Sequence, residues 1–494
     1  MIILLVSLIL PVLTLFFFYR HKNPQKARYP PGPLGLPLIG NLHQLAATTS
    51  PHIYLWKLSK KYGPLMSMKL GSVPLIVISS AKTAKYVYKT HDLAFSSRPK
   101  VRGQHKLSYN GLDIAFAPYI DSWRELRKIC VLHLLSNKQV QSFRPVREDE
   151  VFRMIKNLSV KSGQAANLSE TMLLLTSTLI CRTAFSKREN DDRRKFDGLM
   201  LESQAMMGSF FVSDYLPSFG WVDKLSGLID RLEKIFNKLE EFYRELIDEH
   251  LDPSRQKAAN PDLLDLLIQL KEDKSCSVEL TWDHIKAILM DIFIAATDTS
   301  AATVIWTMTA LMKNPTIMEK LQNEIREAIG EQGNVNESDL PKLSYLKAVI
   351  KEVLRLYPPT PLSLPRETLE NCTVEGYLIP ARTLVYINAW AIARDPEYWE
   401  RPEEFVPERF LNTSVDIIGQ DFQVIPFGGG RRRCPGIWMG LATVELAVAN
   451  LLYSFDWEMP YGMKKEDIDT QVLPGLTMHK KNPLFLVPKK YKYI

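Results

Sequence analysis

The sequence predicts a mainly α-helical protein with small β-sheets, an α+β fold. The strongest observation is a helical segment of some thirty residues without glycine or proline, from Thr281 to about Met312. At 1.5 Å per residue it would be ~45 Å long, far beyond an average helix, and its apolar composition indicates burial. Amphipathic patterns fill the middle of the chain, roughly residues 136–275, whereas strand-like runs are short.

A nearly unbroken apolar run extends from Ile2 to Tyr19. As a helix this run would be about 27 Å long, close to the ~30 Å hydrocarbon core of a bilayer. Basic residues follow the run and none precedes it, which favours an uncleaved signal-anchor over the alternative, a cleaved signal peptide. We therefore expect a single transmembrane segment over residues 1–20, with the N-terminus in the lumen and the remaining chain in the cytosol.

The segment after the expected anchor, residues 21–41, is basic and then rich in proline. Its prolines predict a stiff, extended connector, or hinge. Residues 42–494 are expected to form one large domain, because no internal repeat or low-complexity linker interrupts them. Within this domain, residues 62–79 alternate or run apolar between glycine and proline breakers, which predicts a short hairpin.

Charge and cysteine content limit the possible partners. The formal net charge is +7 without a long basic run, which weakly favours a negative partner or membrane surface and argues against nucleic acid. The five cysteines are odd in number and widely spaced, and no Cys-x-x-Cys-His heme-attachment motif occurs. A reducing compartment and a non-covalently held cofactor follow as the simpler interpretation.

The most specific motif is residues 426–436, Pro-Phe-Gly-Gly-Gly-Arg-Arg-Arg-Cys-Pro-Gly. Its glycines allow a tight turn with positive φ, and Pro435 suits the first turn of a helix. Cys434 is therefore expected just before a helix N-terminus, whose N–H groups would stabilise a thiolate. Such a thiolate is a good axial ligand for heme iron, and the arginines suit heme propionates. A basic loop that contains one buried cysteine is the alternative.

Polar groups also occur within predicted helices. Trp123 and Arg127 lie four residues apart on an amphipathic helix that begins near Asp121. Asp298 and Thr299 lie in the middle of the long apolar helix, where polar side chains are unfavourable unless they are hydrogen-bonded. A packing pair and a satisfied core network are the respective alternatives.

Two further motifs follow the long helix. Glu352 and Arg355 are one helical turn apart, a spacing that is also common for solvated ion pairs. Residues 358–366 are too rich in proline for a helix and predict an extended strand. Strand-like runs recur at residues 384–387 and 484–487.

These motifs together resemble those of the cytochromes P450, in order and spacing, across essentially the whole chain. The resemblance implies the P450 fold and a heme-thiolate monooxygenase that uses heme b and inserts one oxygen atom from O2 into a small apolar substrate. The chain most resembles plant endoplasmic reticulum P450s of the clan serving specialised metabolism. Residues 136–151 and 475–481 look nearest to enzymes acting on terpenoids, phenylpropanoids or amino-acid-derived aldoximes.

The resemblance also implies roles for individual residues. Cys434 would be the proximal heme ligand, with Phe427 beside its sulfur and Gly436 at a pattern position of the same loop. The side chains that would bind the propionates are Trp123, Arg127, Arg366 and Arg432. Oxygen activation would depend on Thr299, and proton delivery on Asp298. The substrate pocket would be lined by Ala295, Ala296, Leu362, Ser363, Leu364, Leu476 and Thr477. A structural network would join Glu352, Arg355 and Arg409. Ala296 stands where the family most commonly has glycine.

The electrons must come from a partner outside the chain, because no Gly-rich dinucleotide fingerprint or flavin site is found in the sequence. By resemblance the source is an NADPH-cytochrome P450 reductase in the same membrane. Two alternatives remain. A heme-thiolate isomerase or dehydratase would need no reductase, although such relatives usually lack the threonine present here as Thr299. A non-catalytic heme-binding protein would not require Asp298 and Thr299.

Overall fold

Helices dominate the chain, as the sequence predicts, and the strands are short. The structure is a computed structural model that describes residues 29–187, 190–256, 260–273 and 278–492; the expected anchor and residues 21–28 of the hinge lie outside them. In chain order, helices α1–α18 span Leu42–Ala46, Pro51–Tyr62, Ala81–Lys85, Arg102–Leu107, Asp121–Ile129, Asn137–Ser142, Arg144–Val160, Leu168–Phe185, Asn190–Met207, Val212–Tyr215, Trp221–Leu225, Leu228–Leu251, Leu263–Glu272, Trp282–Lys313, Pro315–Ile329, Ser344–Leu356, Ala389–Ile392 and Ile437–Ser454. Strands β1–β9 span Leu65–Leu70, Val73–Ile78, Ala166–Asn167, Arg366–Glu367, Cys372–Val374, Tyr377–Ile379, Leu384–Ile387, Phe455–Glu458 and Phe485–Lys490.

The long helix predicted from the sequence is α14, and it is the centre of the core. It begins after Thr281, whose side-chain oxygen accepts a hydrogen bond from the backbone N–H of His284, while His284 Nδ1 accepts one from the N–H of Thr281. Helices α8, α16 and α18 pack against it. Both α14 and α18 are long and apolar enough to cross a bilayer, but most of each is buried inside the protein, so both are core helices.

The strands form small sheets at the side of the helical core. The predicted hairpin is confirmed as β1 and β2, which pair antiparallel with Leu65 opposite Ile78. Strand β7 adds to β2 in parallel and β4 completes a four-stranded sheet in the order β1-β2-β7-β4. Strands β3, β9 and β8 form a second sheet, and β5 pairs with β6. The predicted strand-like runs at residues 384–387 and 484–487 therefore correspond to β7 and β9.

Two local predictions differ from the structure. Residues 358–365 contain turns and bends rather than a strand, and Ser363 has a φ of 54°, so extended pairing begins only at β4. Proline excludes a helix but is compatible with turns as well as with strands. Helix α18 begins at Ile437 with Gly436 as its N-cap, so Pro435 precedes the first turn instead of occupying it.

Candidate active site

The loop before α18 has the backbone that its glycines allow. Gly428 and Gly430 have φ values of 67° and 64°, in the left-handed region that favours glycine. Gly429 is extended, but a Cβ there would lie 3.0 Å from the Tyr88 ring, and a Cβ on Gly430 would lie 2.1 Å from Asp92 Oδ1. Glycines therefore let this loop, residues 426–436, approach the segment around Tyr88 closely.

Cys434 is held at the end of this loop. Its backbone N–H donates to the carbonyl of Phe427 at 3.0 Å, and the N–H of Gly436 donates to its sulfur. Burial raises the pKa of the Cys434 thiol above its ordinary value, although the Gly436 N–H and the charges of Arg127 and Arg433 oppose the shift. The helix end alone therefore does not produce a thiolate, whereas a bound metal cation deprotonates a coordinating thiol outright.

Three buried arginines lie in the loop or beside it. Arg432 donates to three backbone carbonyls and its guanidinium stacks 3.7 Å from the ring centroid of Trp123. Arg366 donates to the carbonyl of Gly429 at 2.9 Å and to one further carbonyl at 3.0 Å. Arg98 donates to three more carbonyls at 2.7–2.8 Å. With Arg127, which donates to a carbonyl of the same loop, these side chains form what we call the guanidinium cluster.

The positive charge of the guanidinium cluster exceeds the negative charge of the carboxylates that the structure describes near it. Burial and the neighbouring guanidiniums lower the pKa of Arg432 to about 8 and that of Arg98 to about 9. The carboxylate of Asp92 lies 3.8 Å from Arg366 and is shared with Arg431. Buried cations of this kind require anionic partners, so the cluster and the neighbouring cysteine fit the two propionates and the iron of heme b.

Sequence analysis missed Arg98, although its guanidinium is fully buried beside Arg432 and Arg366. The local sequence, Ser-Ser-Arg-Pro, contains a single basic residue outside any recognisable helix or strand pattern. The pairing of Arg98 with the rest of the cluster depends on tertiary contacts with residues 364 and 365, and no sequence pattern signals those contacts.

Helix α14 has an open stretch in its otherwise buried middle. Ala295 is exposed, and Ile294, Ala296 and Thr299 are half-buried, whereas the residues on either side of the stretch are buried. The Thr299 hydroxyl donates to the carbonyl of Ala295 at 2.7 Å, and Asp298 Oδ1 lies 2.6 Å from Nε2 of His479. The helix remains α-helical throughout Trp282–Lys313, so the alanine at position 296 is accommodated without a bulge. The open stretch therefore presents an accessible hydroxyl on a helix that is otherwise buried.

The residues expected to line a substrate pocket divide into two groups. Leu476 packs in the same cluster as Ala296 and Ile294, against α14. Leu362 packs with Tyr215 and Tyr386 near the four-stranded sheet instead. The remaining candidates are half-buried: Ser363, Leu364 and Thr477.

The structure brings Glu352, Arg355 and Arg409 together in the core. Arg355 donates to both carboxylate oxygens of Glu352, at 2.7 and 2.9 Å, and Arg409 Nε donates to Oε1 at 3.1 Å. The N–H of Val406 adds a further hydrogen bond at 2.9 Å. Arg355 and Glu352 are fully buried, so the charges in this network are paired where solvent cannot screen them.

A second buried pair, which the sequence analysis missed, joins Asp113 to Asp291. Asp291 Oδ2 accepts the N–H groups of Ile114 and Ala115 at 2.7 and 3.0 Å. The two carboxyl groups share a hydrogen bond that requires a proton on one of them. Burial raises the pKa of Asp113 to about 6, and burial together with the charge of Asp113 raises the pKa of Asp291 well above its usual value. Asp291 is therefore the protonated partner.

A cysteine in a glycine-framed loop, buried guanidiniums beside it and a buried helix opened around a threonine are the arrangement expected of a heme-thiolate oxygenase. The profile of the family described as Cytochrome P450 matches residues 30–487. The chain belongs to the cytochrome P450 family.

Individual relatives give a finer comparison. The chain is 49% identical to a 6,7,8-trihydroxycoumarin synthase of Pastinaca sativa, over 99% of each chain. It is 47% identical to Cytochrome P450 71B34 of Arabidopsis thaliana, over 99% of this chain and 98% of that protein. A solved zebrafish cytochrome P450 with progesterone superposes with a TM-score of 0.77 at 26% identity, covering 89% of this chain and 99% of that one.

Family membership and these relatives identify the chain as a P450 monooxygenase of the type found in plant specialised metabolism. As in its family, the cofactor is heme b, the co-substrate is O2, and the electrons come from NADPH through a reductase. The mainly helical fold with small sheets predicted from the sequence is confirmed as the P450 fold.

Proposed function

We propose that Cys434 is the proximal heme ligand of a monooxygenase that oxygenates a small, apolar aromatic plant metabolite. The observation that carries the proposal is the glycine-framed loop, which holds Cys434 beside the guanidinium cluster. Coumarins are the first substrate class to test, because a relative that is 49% identical over nearly the whole chain is a trihydroxycoumarin synthase. Ala296 and Leu476, whose apolar side chains pack against the same core cluster, support an apolar pocket.

Different residues of the chain would bind the heme and take part in the reaction. Bound heme supplies the iron at which O2 is activated by two electrons. The guanidinium cluster (Arg98, Arg127, Arg366 and Arg432) would hold the two propionates with charge-assisted hydrogen bonds, and the Trp123 ring would keep Arg432 in place by stacking. On α14, the accessible Thr299 hydroxyl would exchange its hydrogen bond to the Ala295 carbonyl for one to the reactants, and Asp298 would supply protons.

Reductase docking and membrane attachment belong to the same proposal. Arg431 and Arg433 are exposed on the Cys434 loop, and Arg124 and Lys128 are exposed on α5. This basic surface would bind an acidic surface of an NADPH-cytochrome P450 reductase. Residues 1–20 would anchor the protein to the endoplasmic reticulum membrane by a single pass, with residues 21–41 as hinge and residues 42–494 as the cytosolic catalytic domain.

The test begins with the reduced protein and carbon monoxide, which should give the red-shifted Soret band of thiolate ligation. Cys434→Ser should lose the band, whereas Cys372→Ser, a half-buried cysteine in β5, should keep it. A retained band in Cys434→Ser overturns the ligand assignment.

Substrate class is tested with the intact protein, a plant P450 reductase and a panel of coumarins, terpenes and aldoximes. Spectral binding followed by coumarin-dependent NADPH consumption and a hydroxylated product is the expected result. Conversion of a substrate without NADPH would indicate the isomerase or dehydratase alternative, and consumption restricted to another class would exclude coumarins.

A further inference from the structure

His479 is in direct contact with Asp298. Its Nε2 lies 2.6 Å from Asp298 Oδ1, and the side chains are 31% and 7% exposed, respectively. At this distance the two atoms can share a hydrogen bond, in which a carboxylate oxygen accepts and an imidazole N–H donates. The sequence predicts no role for the His479 side chain, because its partner Asp298 is far away in the chain.

The backbone next to His479 is fixed from two sides. The N–H of Met478 donates to the carbonyl of Pro359 at 2.7 Å, and Trp306 Nε1 on α14 donates to the carbonyl of Met478 at 2.7 Å. The Trp306 ring is itself stacked on Tyr357, with ring centroids 4.6 Å apart. Both backbone groups of Met478 are therefore held by other elements, and the imidazole is placed in a defined position relative to α14.

The segment that carries His479 also carries two expected pocket residues. Residues 472–480, which we call the C-terminal turn, are closed by a bridge between Val472 and Lys480 and by a hydrogen bond from the N–H of Leu473 to the carbonyl of His479 at 2.9 Å. Leu476 lies in this turn and packs in the same cluster as Ala296. A substrate that contacts the C-terminal turn therefore contacts the same short segment whose His479 side chain holds Asp298.

We propose that His479 is a positioning residue for Asp298, and that it couples the orientation of this carboxylate to occupancy of the pocket through the C-terminal turn. This inference rests on the proposed role of Asp298 in proton supply. The C-terminal turn would be the element that regulates proton supply. The imidazole fixes the rotamer of Asp298 by one charge-assisted hydrogen bond. Without that bond the carboxylate is free to adopt other rotamers, and electrons are lost to hydrogen peroxide instead of product.

The central experiment compares His479→Ala with His479→Gln in the full-length protein with reductase. His479→Ala should lower kcat for product roughly tenfold, as expected for one hydrogen bond to a charged group, with a smaller change in KM. His479→Gln keeps an N–H donor and should recover most of the loss. Equal loss in both variants overturns the proposal, because a role in packing alone would not be rescued by the amide.

A matched control lies in the same turn. Lys480 pairs with Asp469 at 2.8 Å and does not take part in the contact with Asp298. Lys480→Ala should therefore loosen the turn but leave the ratio of product to consumed NADPH unchanged. If Lys480→Ala uncouples the reaction as strongly as His479→Ala, general loosening of the turn explains the effect and the proposal fails.

A double mutant separates this inference from the proposed function. If His479 acts through Asp298, adding His479→Ala to Asp298→Asn should cause no further loss. Additive losses overturn the positioning role of His479 only. If Asp298→Asn alone leaves the product-to-NADPH ratio intact, the proton-supply role of Asp298 and the inference fail together.

Hydrogen exchange gives a readout that does not depend on turnover. Amides of residues 472–480 should be protected further when substrate binds the wild-type protein, and His479→Ala should reduce this added protection. The carbon monoxide band verifies that each variant retains heme. Unchanged protection by substrate in the wild-type protein would contradict the coupling.

Discussion

Thr299 differs from the other threonines of α14 in its accessibility. Thr299, Thr303 and Thr307 each donate to the carbonyl four residues earlier, at 2.7, 2.8 and 2.8 Å. Thr303 and Thr307 are buried, whereas Thr299 lies in the open stretch. Hydrogen bonding to the helix backbone is therefore common to all three, and only the accessible hydroxyl of Thr299 can also take part in a reaction.

We expect Thr299→Ala to retain heme and substrate binding but to divert NADPH electrons severalfold towards hydrogen peroxide. Thr307→Ala removes an equivalent hydrogen bond from a buried position and should leave the product-to-NADPH ratio unchanged. The measurement is peroxide and product formed per NADPH consumed. A fully coupled Thr299→Ala enzyme would show that proton delivery does not require this hydroxyl.

Ala296 is the companion position, because the family most commonly has glycine there. The structure keeps α14 regular around this alanine, so replacement by glycine should lower the free energy of unfolding by about 1 kcal/mol. Coupling of Ala296→Gly should remain near that of the wild type. Thermal unfolding measures the effect on stability, and the product-to-NADPH ratio measures the effect on coupling. Loss of coupling would show that the methyl group positions the reactants.

At the scale of elements, the pair of Asp113 and Asp291 ties the segment before α5 to α14. The pKa of Asp113 is raised from 3.8 to about 6 in the folded protein, so the folded state binds more protons than the unfolded state between these values. The stability that Asp113 contributes is therefore complete below about pH 4 and is lost as the pH rises through about 6, and the raised pKa of Asp291 adds a loss of the same sign.

We expect Asp291→Asn to weaken this pH dependence, because Asp291 no longer titrates while Asp113, whose pKa is raised by its own burial, still does. The amide oxygen can accept the N–H groups of Ile114 and Ala115, and the amide nitrogen can donate to Asp113 without a titrating proton. The free energy of unfolding, measured with urea at several pH values, should vary less between about pH 4 and 7 than in the wild type. An unchanged slope would show that other groups dominate, and Asp291→Ala, which removes the donor, should lower stability.

The Glu352 network joins α16 to the segment Pro407–Phe410, which lies beyond β7 and α17 in the chain. Arg355→Met leaves Glu352 buried with one remaining cation and should cost about 3–5 kcal/mol in stability, with loss of heme. Arg231→Met breaks an exposed pair with Glu202, in which the side chains are 50% and 37% exposed, and should cost roughly 0–1 kcal/mol. Denaturant unfolding and heme content measure both effects. Equal costs would mean that the buried network stabilises no more than a surface pair.

At the scale of the whole molecule, the basic surface formed by Arg124, Lys128, Arg431 and Arg433 should determine the salt dependence of catalysis. Electrostatic attraction between proteins is screened over ~10 Å at 0.1 M salt. Turnover supported by the reductase should therefore fall with ionic strength more steeply than turnover supported by added hydrogen peroxide, which needs no docking. Parallel measurements over the same salt series provide the comparison, and equal salt dependence would argue against this docking surface.

Local patterns predicted the elements of this molecule better than its long-range contacts. Helix α14, the hairpin β1–β2 and helix α5 follow from apolar periodicity, because each pattern is contained within one segment. Residues 358–365 were predicted to be extended, yet they form turns, since the fixed φ of proline does not distinguish these conformations. Arg98 and His479 gained no role from sequence because their partners, Leu364 and Asp298, are distant in the chain.

The guanidinium cluster has a consequence for the amount of enzyme in a cell. Its members repel one another in a buried environment, so the polypeptide without its dianionic cofactor starts from a less favourable folded state. A ligand that binds only the native state raises stability in proportion to the logarithm of its concentration over its dissociation constant. Newly made chains that outnumber available heme would thus unfold more often and be degraded. The steady-state abundance of this P450 should then follow the rate of porphyrin synthesis as well as the rate of its own transcription.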